Sequence, residues 1–282
     1  MYVCGQGSLL KRIDNLIEKG ALPGFIIIVG GRGCGKKVLC DYIARKLEAN
    51  FVPCGNKIDD IREVIQNAYT MTEKTLYMIF DCDDMSSAAK NSLLKVTEEP
   101  PNNAYFAMTV QDPSSILGTI SSRGTIFYTE PYSYKDLSDF ISYKGYEFDK
   151  DTLDIVMSIC TCPEDITVAS GTNIKEVYDM AEKFIQFVGA ANLANELKIT
   201  TLLSTKKEDG KIDPVIFLRC IMLCCERNMK QNITKEDAEI FKTIIENTSK
   251  CLTDINSKGS SKQIVLDNWI INTHMGITGG KF

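Results

Sequence analysis

Five consecutive apolar residues, Phe25-Ile26-Ile27-Ile28-Val29, run directly into Gly30-Gly31-Arg32-Gly33-Cys34-Gly35-Lys36-Lys37. An unbroken apolar run predicts a strand buried on both faces, which requires a parallel sheet covered by helices on each side. The glycines let the backbone curl and aim its N–H groups at phosphate oxygens, and Lys36 supplies a cation for β- and γ-phosphates. Apolar residues recur at helical spacing from Val38 to Leu47, so the loop opens onto the positive end of a helix dipole. The pattern G-x-x-x-x-G-K-[ST] fails only at its last position. Lys37 stands where a Ser or Thr hydroxyl would hold magnesium. A glycine-rich turn that binds nothing is the alternative, and the flanking strand and helix weigh against it.

Strand and helix patterns alternate through the first half of the chain. A helix is predicted over Ser8–Lys19, with Leu9, Leu10, Ile13, Leu16 and Ile17 on one stripe, and another over Asp59–Tyr69. Leu76–Phe80 reads as a second buried strand, Ala104–Val110 as a third and Thr125–Tyr128 as a fourth. Between them, Ser87–Glu98 is helical and stops at Pro100-Pro101, because a proline disfavours helix at the residue before it. Beyond Pro131 only helical periodicity continues, with breaks at Gly145, Cys162-Pro163, Ser170-Gly171, Lys206–Lys211 and Ser257–Ser261. This is an α/β class with a helical second half.

The strand Leu76–Phe80 delivers Asp81 to its carboxyl end, where a magnesium-binding acid belongs beside a phosphate loop. A plain strand-end cap is the other reading of Asp81. The next position, where a water-orienting glutamate would stand, is Cys82; the spacing of Asp83 and Asp84 suits the following loop better than that role.

Composition narrows the rest. A net charge of −5 over 282 residues excludes a protein that is basic all over, so contact with nucleic acid would need a local patch. The 11 cysteines lack paired zinc spacing and read as reduced, buried thiols of a reducing compartment. No leading signal segment or membrane-length apolar run is apparent, which predicts a cytoplasmic protein. His274, the single histidine, reads as a surface or tail residue, so triad chemistry has no support.

Four segments carry a resemblance to a known family. Ser86–Pro101 (SSAAKNSLLKVTEEPP) with Asn102–Phe106 is very similar to the stretch after the second nucleotide motif of AAA+ clamp-loader subunits. Ile116–Arg123 (ILGTISSR) resembles the lead into their serine-arginine-cysteine motif, here Ser122-Arg123-Gly124. Val3–Gln6 with Leu22–Gly24 resembles their approach to the phosphate loop, and Ile61-Arg62-Glu63 a helix before the second motif. Asp254–Ile270 resembles their last collar helices, more weakly. Within the family the chain looks most like the delta-prime type of bacterial DNA polymerase III, or a phage counterpart.

The resemblance implies a P-loop AAA+ domain over 1–131, a helical lid over 132–173 and a helical collar over 174–282. It implies an arginine finger, Arg123, supplied to a neighbour's ATP site, with Gln111 at the sensor-1 position. Cys162-Pro163-Glu164 falls where active subunits carry a sensor-2 arginine. ATP or ADP would then be bound weakly by Gly30–Lys37, with magnesium at Asp81 if at all, and no zinc, since Lys36 to Asp81 leaves little room for a cysteine-rich insert. The implied partners are other loader subunits, a sliding clamp and primer-template DNA, with Lys90, Asn91 and Lys95 facing the DNA, and no membrane. In the collar, Leu218, Ile221, Met222 and Cys225, and Ile240, Ile244 and Ile245, form stripes for subunit contact or for the unit's own core. Other readings stay open: a solvated face for the lysines, a structural ion pair for Arg123, an ATPase using Asp83, or a scaffold without nucleotide.

Overall fold

The computed structural model describes residues 2–116, 118–190, 192–204, 212–231, 234–255 and 261–279. The breaks expected at Lys206–Lys211 and at 257–260 lie outside them. Contacts divide the chain into two compact units, Met1–Tyr143 with Cys162–Glu164, and Lys144–Thr161 with Asp165–Phe282.

In the first unit, five parallel strands lie in the order β2-β3-β4-β1-β5. They are β1 (Phe25–Val29), β2 (Asn50–Cys54), β3 (Thr75–Ile79), β4 (Ala104–Val110) and β5 (Thr125–Tyr128). Helices α1 (Gly7–Glu18), α2 (Lys36–Lys46), α3 (Ile58–Thr70), α4 (Ser87–Glu98), the short α5 (Gly118–Ser121) and α6 (Tyr134–Lys144) complete it. Every residue of β1 is buried, and alternate side chains enter different cores. Phe25, Ile27 and Val29 join Ile61, Val64 and Ala68 of α3 and Ala89, Leu93 and Val96 of α4. Ile26 and Ile28 join Leu9 and Ile13 of α1 and Leu39, Ile43 and Ala44 of α2. Two faces buried at a period of two is why the sequence shows a continuous apolar run.

Strand β2 departs from the sequence expectation, which had no strand there. It pairs with β3 alone, and most of its residues are partly or fully exposed. An edge strand tolerates Pro53 because its missing N–H costs no ladder bond on the open side. Asn50 and Pro53 thereby hide the strand from a hydrophobic-run reading. The expected second, third and fourth strands are consequently β3, β4 and β5.

The second unit is helical: α7 (Lys150–Ile159), α8 (Pro163–Ser170), α9 (Ile174–Phe187), α10 (Leu193–Ser204), α11 (Pro214–Met229), α12 (Lys235–Asp254) and α13 (Lys262–Thr278). The first turn of α8 lies with the first unit. Trp269 anchors the core. Its ring centroid is 5.1 Å from Phe184 and 6.4 Å from Phe217, and its indole N–H donates to Thr248 Oγ1 at 3.0 Å. Leu218, Ile221, Cys225 and Ile244 are buried in this unit itself, while Met222, Ile240 and Ile245 are half-buried. Ten of the 11 cysteines are buried and none forms a disulfide.

His274 corrects the sequence reading. It is buried, with Nδ1 3.1 Å from the Glu196 carboxylate, which also accepts the Gly189 N–H at 2.9 Å. Helix α13 carries apolar residues on all sides, so its periodicity gave no sign that His274 faces inward.

Asp165 forms a half-buried ion pair in this unit, 2.5 Å from Arg219, and accepts the Thr161 N–H at 2.9 Å. Burial alone would raise its carboxyl pKa, but the Arg219 charge and the Thr161 hydrogen bonds outweigh that and hold it below the ordinary value. A carboxyl that titrates lower when folded contributes fully above its unfolded pKa of about 4, and loses that contribution as pH falls through its folded value. Asp165→Asn is expected to cost about 2 kcal/mol at neutral pH. Urea midpoints of the full chain should show the difference from wild type shrinking as the solution is acidified below that range.

Candidate functional site

Three loops meet at the carboxyl edge of the sheet, following β1, β3 and β4, where open parallel sheets place their ligand sites. After β1 the chain turns at Gly33 (φ +75°) and Gly35 (φ +71°), left-handed conformations that a side chain would strain. Gly35 is the N-cap of α2, so Lys36 and Lys37 form its first turn. Lys36 does not point away from the loop. Its ammonium donates to the carbonyls of Gly30 at 2.6 Å and Gly31 at 2.8 Å. Burial lowers its pKa, and the negative charge of Asp81, Asp83 and Glu164 works against that. Arg32 and Lys37 are exposed, and the Cys34 carbonyl accepts from the Tyr132 hydroxyl at 3.0 Å.

Facing the loop is the segment Cys162-Pro163-Glu164, which the family resemblance had set at the sensor-2 position. A Cβ built on Gly33 would lie 2.6 Å from Cys162 Sγ, 2.7 Å from Glu164 Cβ and 2.9 Å from Glu164 Oε2. Glu164 Oε1 is also 3.8 Å from Arg32 Nε. In the fold, this segment brings a carboxylate against Gly33.

At the end of β3, Asp81 adopts φ +53° and leaves its side chain exposed. Its backbone N–H donates to Thr109 Oγ1 at 3.3 Å and its carbonyl accepts from Asn56 at 2.8 Å. Cys82 turns inward. It is fully buried, its thiol is 3.2 Å from the Ile79 carbonyl, and burial pushes its pKa up to about 12. A neutral, enclosed thiol cannot polarise water. Asp83 is occupied as well: its carboxylate accepts from the backbone N–H groups of Gln111 and Asp112 at 2.9 Å each, and from Ser115 Oγ at 3.0 Å. It therefore ties the turn after β3 to the turn after β4 and fixes the backbone of Gln111.

Arg123 follows α5. Its guanidinium pairs with Glu98 at 2.5 Å and donates to the Thr119 carbonyl, leaving the side chain one-third exposed. Lys90 donates to the Ser115 carbonyl at 2.6 Å, whereas Asn91 and Lys95 on the same helix are exposed.

The loop has the glycines and the lysine of a phosphate cradle, but the donor set does not fit magnesium nucleotide. Lys37 places an ammonium where a hydroxyl ligand is needed, Cys82 is inert, and Glu164 adds negative charge at Gly33. Among the described residues, no three His, Cys, Asp or Glu side chains are grouped to hold a metal ion.

Because Asp83 satisfies two backbone N–H groups at once, Asp83→Ala is expected to cost about 1–2 kcal/mol. Hydrogen exchange should accelerate selectively at Gln111 and Asp112. Unchanged protection there would show that the tie between the two turns is not made in solution.

Comparison with known proteins agrees with this architecture. Residues 54–133 match the family described as DNA polymerase III, delta subunit. DNA polymerase III subunit delta-prime of Bacillus subtilis is 27% identical over 165 residues, covering 48% of this chain and 50% of that protein. DNA polymerase III subunit gamma of Buchnera aphidicola (subsp. Schizaphis graminum) is 25% identical over 189 residues, covering 55% of this chain and 52% of its own. The chain thus spans about half the length of these relatives. Among solved structures, the Thermotoga maritima RuvB Holliday junction branch migration motor shares the fold with a TM-score of 0.50 at 17% identity, over 83% of this chain and 80% of that one. No helix among the described residues is long and apolar enough to cross a membrane. With a parallel sheet and a glycine loop after the interior strand β1, the chain has the fold of a P-loop AAA+ domain, and over about half its length it is similar in sequence to the gamma, tau and delta-prime subunits of DNA polymerase III.

Proposed function

We propose that this chain is a clamp-loader subunit of the delta-prime type, which helps place a sliding clamp on primer-template DNA. Its contribution to ATP cleavage is Arg123, given to the site of a neighbouring subunit; its own loop binds ATP or ADP weakly at best and turns neither over. The observation that carries this reading is an asymmetry. The segment bearing Ser122-Arg123 keeps its helix and its partners, while the residues that would run the chain's own site are diverted: Cys82 buried, Asp83 tying two turns, Lys37 without a hydroxyl.

Phosphoryl transfer depends on neutralising charge spread over the transferring group, and a positioned arginine supplies that. Glu98 holds the Arg123 charge in the isolated chain. Delivery to a neighbour exchanges that carboxylate for a phosphoryl oxygen, so the guanidinium is never left unpaired. Partners in this reading are other loader subunits, held through the helical region 174–282, with 1–131 as the AAA+ domain and 132–173 as the lid. Primer-template DNA would be met through phosphate contacts of exposed Asn91 and Lys95, which are salt-dependent and blind to sequence. Lys90 is already committed to Ser115 and adds less. The setting is the cytoplasm of a bacterium, or of a bacterial host of a phage.

Arg123→Ala should leave assembly intact and lower DNA-stimulated ATP turnover and clamp loading of the reconstituted complex by about tenfold or more. Lys36→Ala in this chain should change the same rates little. The opposite ranking would mean an autonomous ATPase, and no effect from either variant would mean a scaffold. Purified alone, the chain should show negligible turnover, measured as phosphate release with and without magnesium.

A further inference from the structure

We propose that Glu164 is an internal competitor for the phosphate loop: its carboxylate, seated against Gly33, makes the loop reject polyphosphates. The inference rests on reading Gly30–Lys37 as a phosphate cradle and needs nothing from the loader role. A cradle works by letting an anion approach glycine backbone closely, where no Cβ intervenes. At Gly33 that ground is held by Cys162 Sγ and by the Cβ and Oε2 of Glu164, the last within 2.9 Å of where a Cβ would be.

Charge acts in the same direction. An arriving polyphosphate meets a negative group against the loop, partly exposed and 3.8 Å from Arg32, an exposed cation of the loop. Lys36, the cation that should greet the phosphate, instead donates to the Gly30 and Gly31 carbonyls. The charges facing the Lys36 ammonium from the packed elements are those of Asp81, Asp83 and Glu164, together with the Cys34 thiol. Three acids thus offset the charge of Lys36, which leaves Lys37 and Arg32 as the exposed cations of the loop.

The same segment narrows the space beside the loop. A cavity of about 60 Å³ lies there, with Val3, Val38, Tyr132, Phe140 and Pro163 in its wall. Small-molecule sites usually enclose about 300–1,000 Å³. Pro163 closes this cavity from one side while its neighbour Glu164 sits on the loop, so one short segment bars both the phosphate side and the cavity.

The test uses the full chain alone and two probes, inorganic tripolyphosphate and ADP, both without magnesium, titrated by calorimetry. Wild type should bind both weakly. Glu164→Gln keeps size and removes charge, and should tighten tripolyphosphate binding on the order of tenfold, the scale of one unit charge near a partly exposed site. Glu164→Arg should tighten it further, and adding Lys36→Ala to that variant should remove the gain. Thermal melts of each variant control for folding. If neither Glu164 variant gains affinity while both melt like wild type, or if wild type already binds as tightly as Glu164→Gln, Glu164 does not compete for the loop. Either outcome leaves the trans role of Arg123 to be judged by turnover of the reconstituted complex, so the two readings fail separately.

Discussion

Everything in the first unit depends on the burial of β1 on both faces. Phe25, Ile27 and Val29 enter one core and Ile26 and Ile28 the other, while the backbone is hydrogen-bonded between β4 and β5. All five side chains are removed from water, at about 25 cal/mol per Å² of apolar area, so the strand is held rigidly between its two neighbours. The loop that follows inherits that rigidity: Gly30 N–H still donates to the Val110 carbonyl at 3.0 Å before the chain turns away. A phosphate cradle needs a floor that does not move, and β1 supplies one whether or not a phosphate ever arrives.

On that floor, groups of catalytic type have been turned to structural use. Cys82 fills core space beneath the turn after β3, where a glutamate could not be buried without a partner. Asp83 spends its lone pairs on the backbone of Gln111 and Asp112. Lys36 satisfies two loop carbonyls. Each arrangement satisfies a hydrogen-bonding group locally, and each removes a group that chemistry would need free. The loops keep their shape because their hydrogen-bonding groups are satisfied by these side chains.

Much of this was legible in the sequence because the relevant signals are local. The run Phe25–Val29, the helix Ser87–Glu98 with its stop at Pro100, and the missing hydroxyl at Lys37 are all read from neighbours along the chain. Strand β2 was not legible, since an edge strand needs neither alternation nor a full donor set, and Pro53 argued against it. His274 and Glu196 are 78 positions apart and meet only through the packing of α10 on α13. Glu164 on Gly33 is likewise a long-range contact. The resemblance put Cys162-Pro163-Glu164 at the sensor-2 position, but no local periodicity shows that a carboxylate there would lie against Gly33. The Arg123–Glu98 pair lies between: both residues stood in segments already singled out, yet only the fold brings them together.

The retained order around Arg123 has a mechanical basis. Helix α5 is held by Ile116 and Ile120, buried in the same core as α4. The turn before it is pinned twice, by Asp83 to Gln111, Asp112 and Ser115, and by Lys90 to the Ser115 carbonyl. Arg123 is then fixed from below by Thr119 and from the side by Glu98. If Arg123 serves another subunit, as proposed, its own chain must hold it at a defined place, since misplacement by about 1 Å can cost a hundredfold in rate. On the proposed reading, Asp83 does more for catalysis as a strut beneath the finger than it could as a base beside an incomplete metal site. On that reading, the absence of a metal ligand at Lys37 leaves the Asp83 carboxylate to steady the segment that carries Arg123.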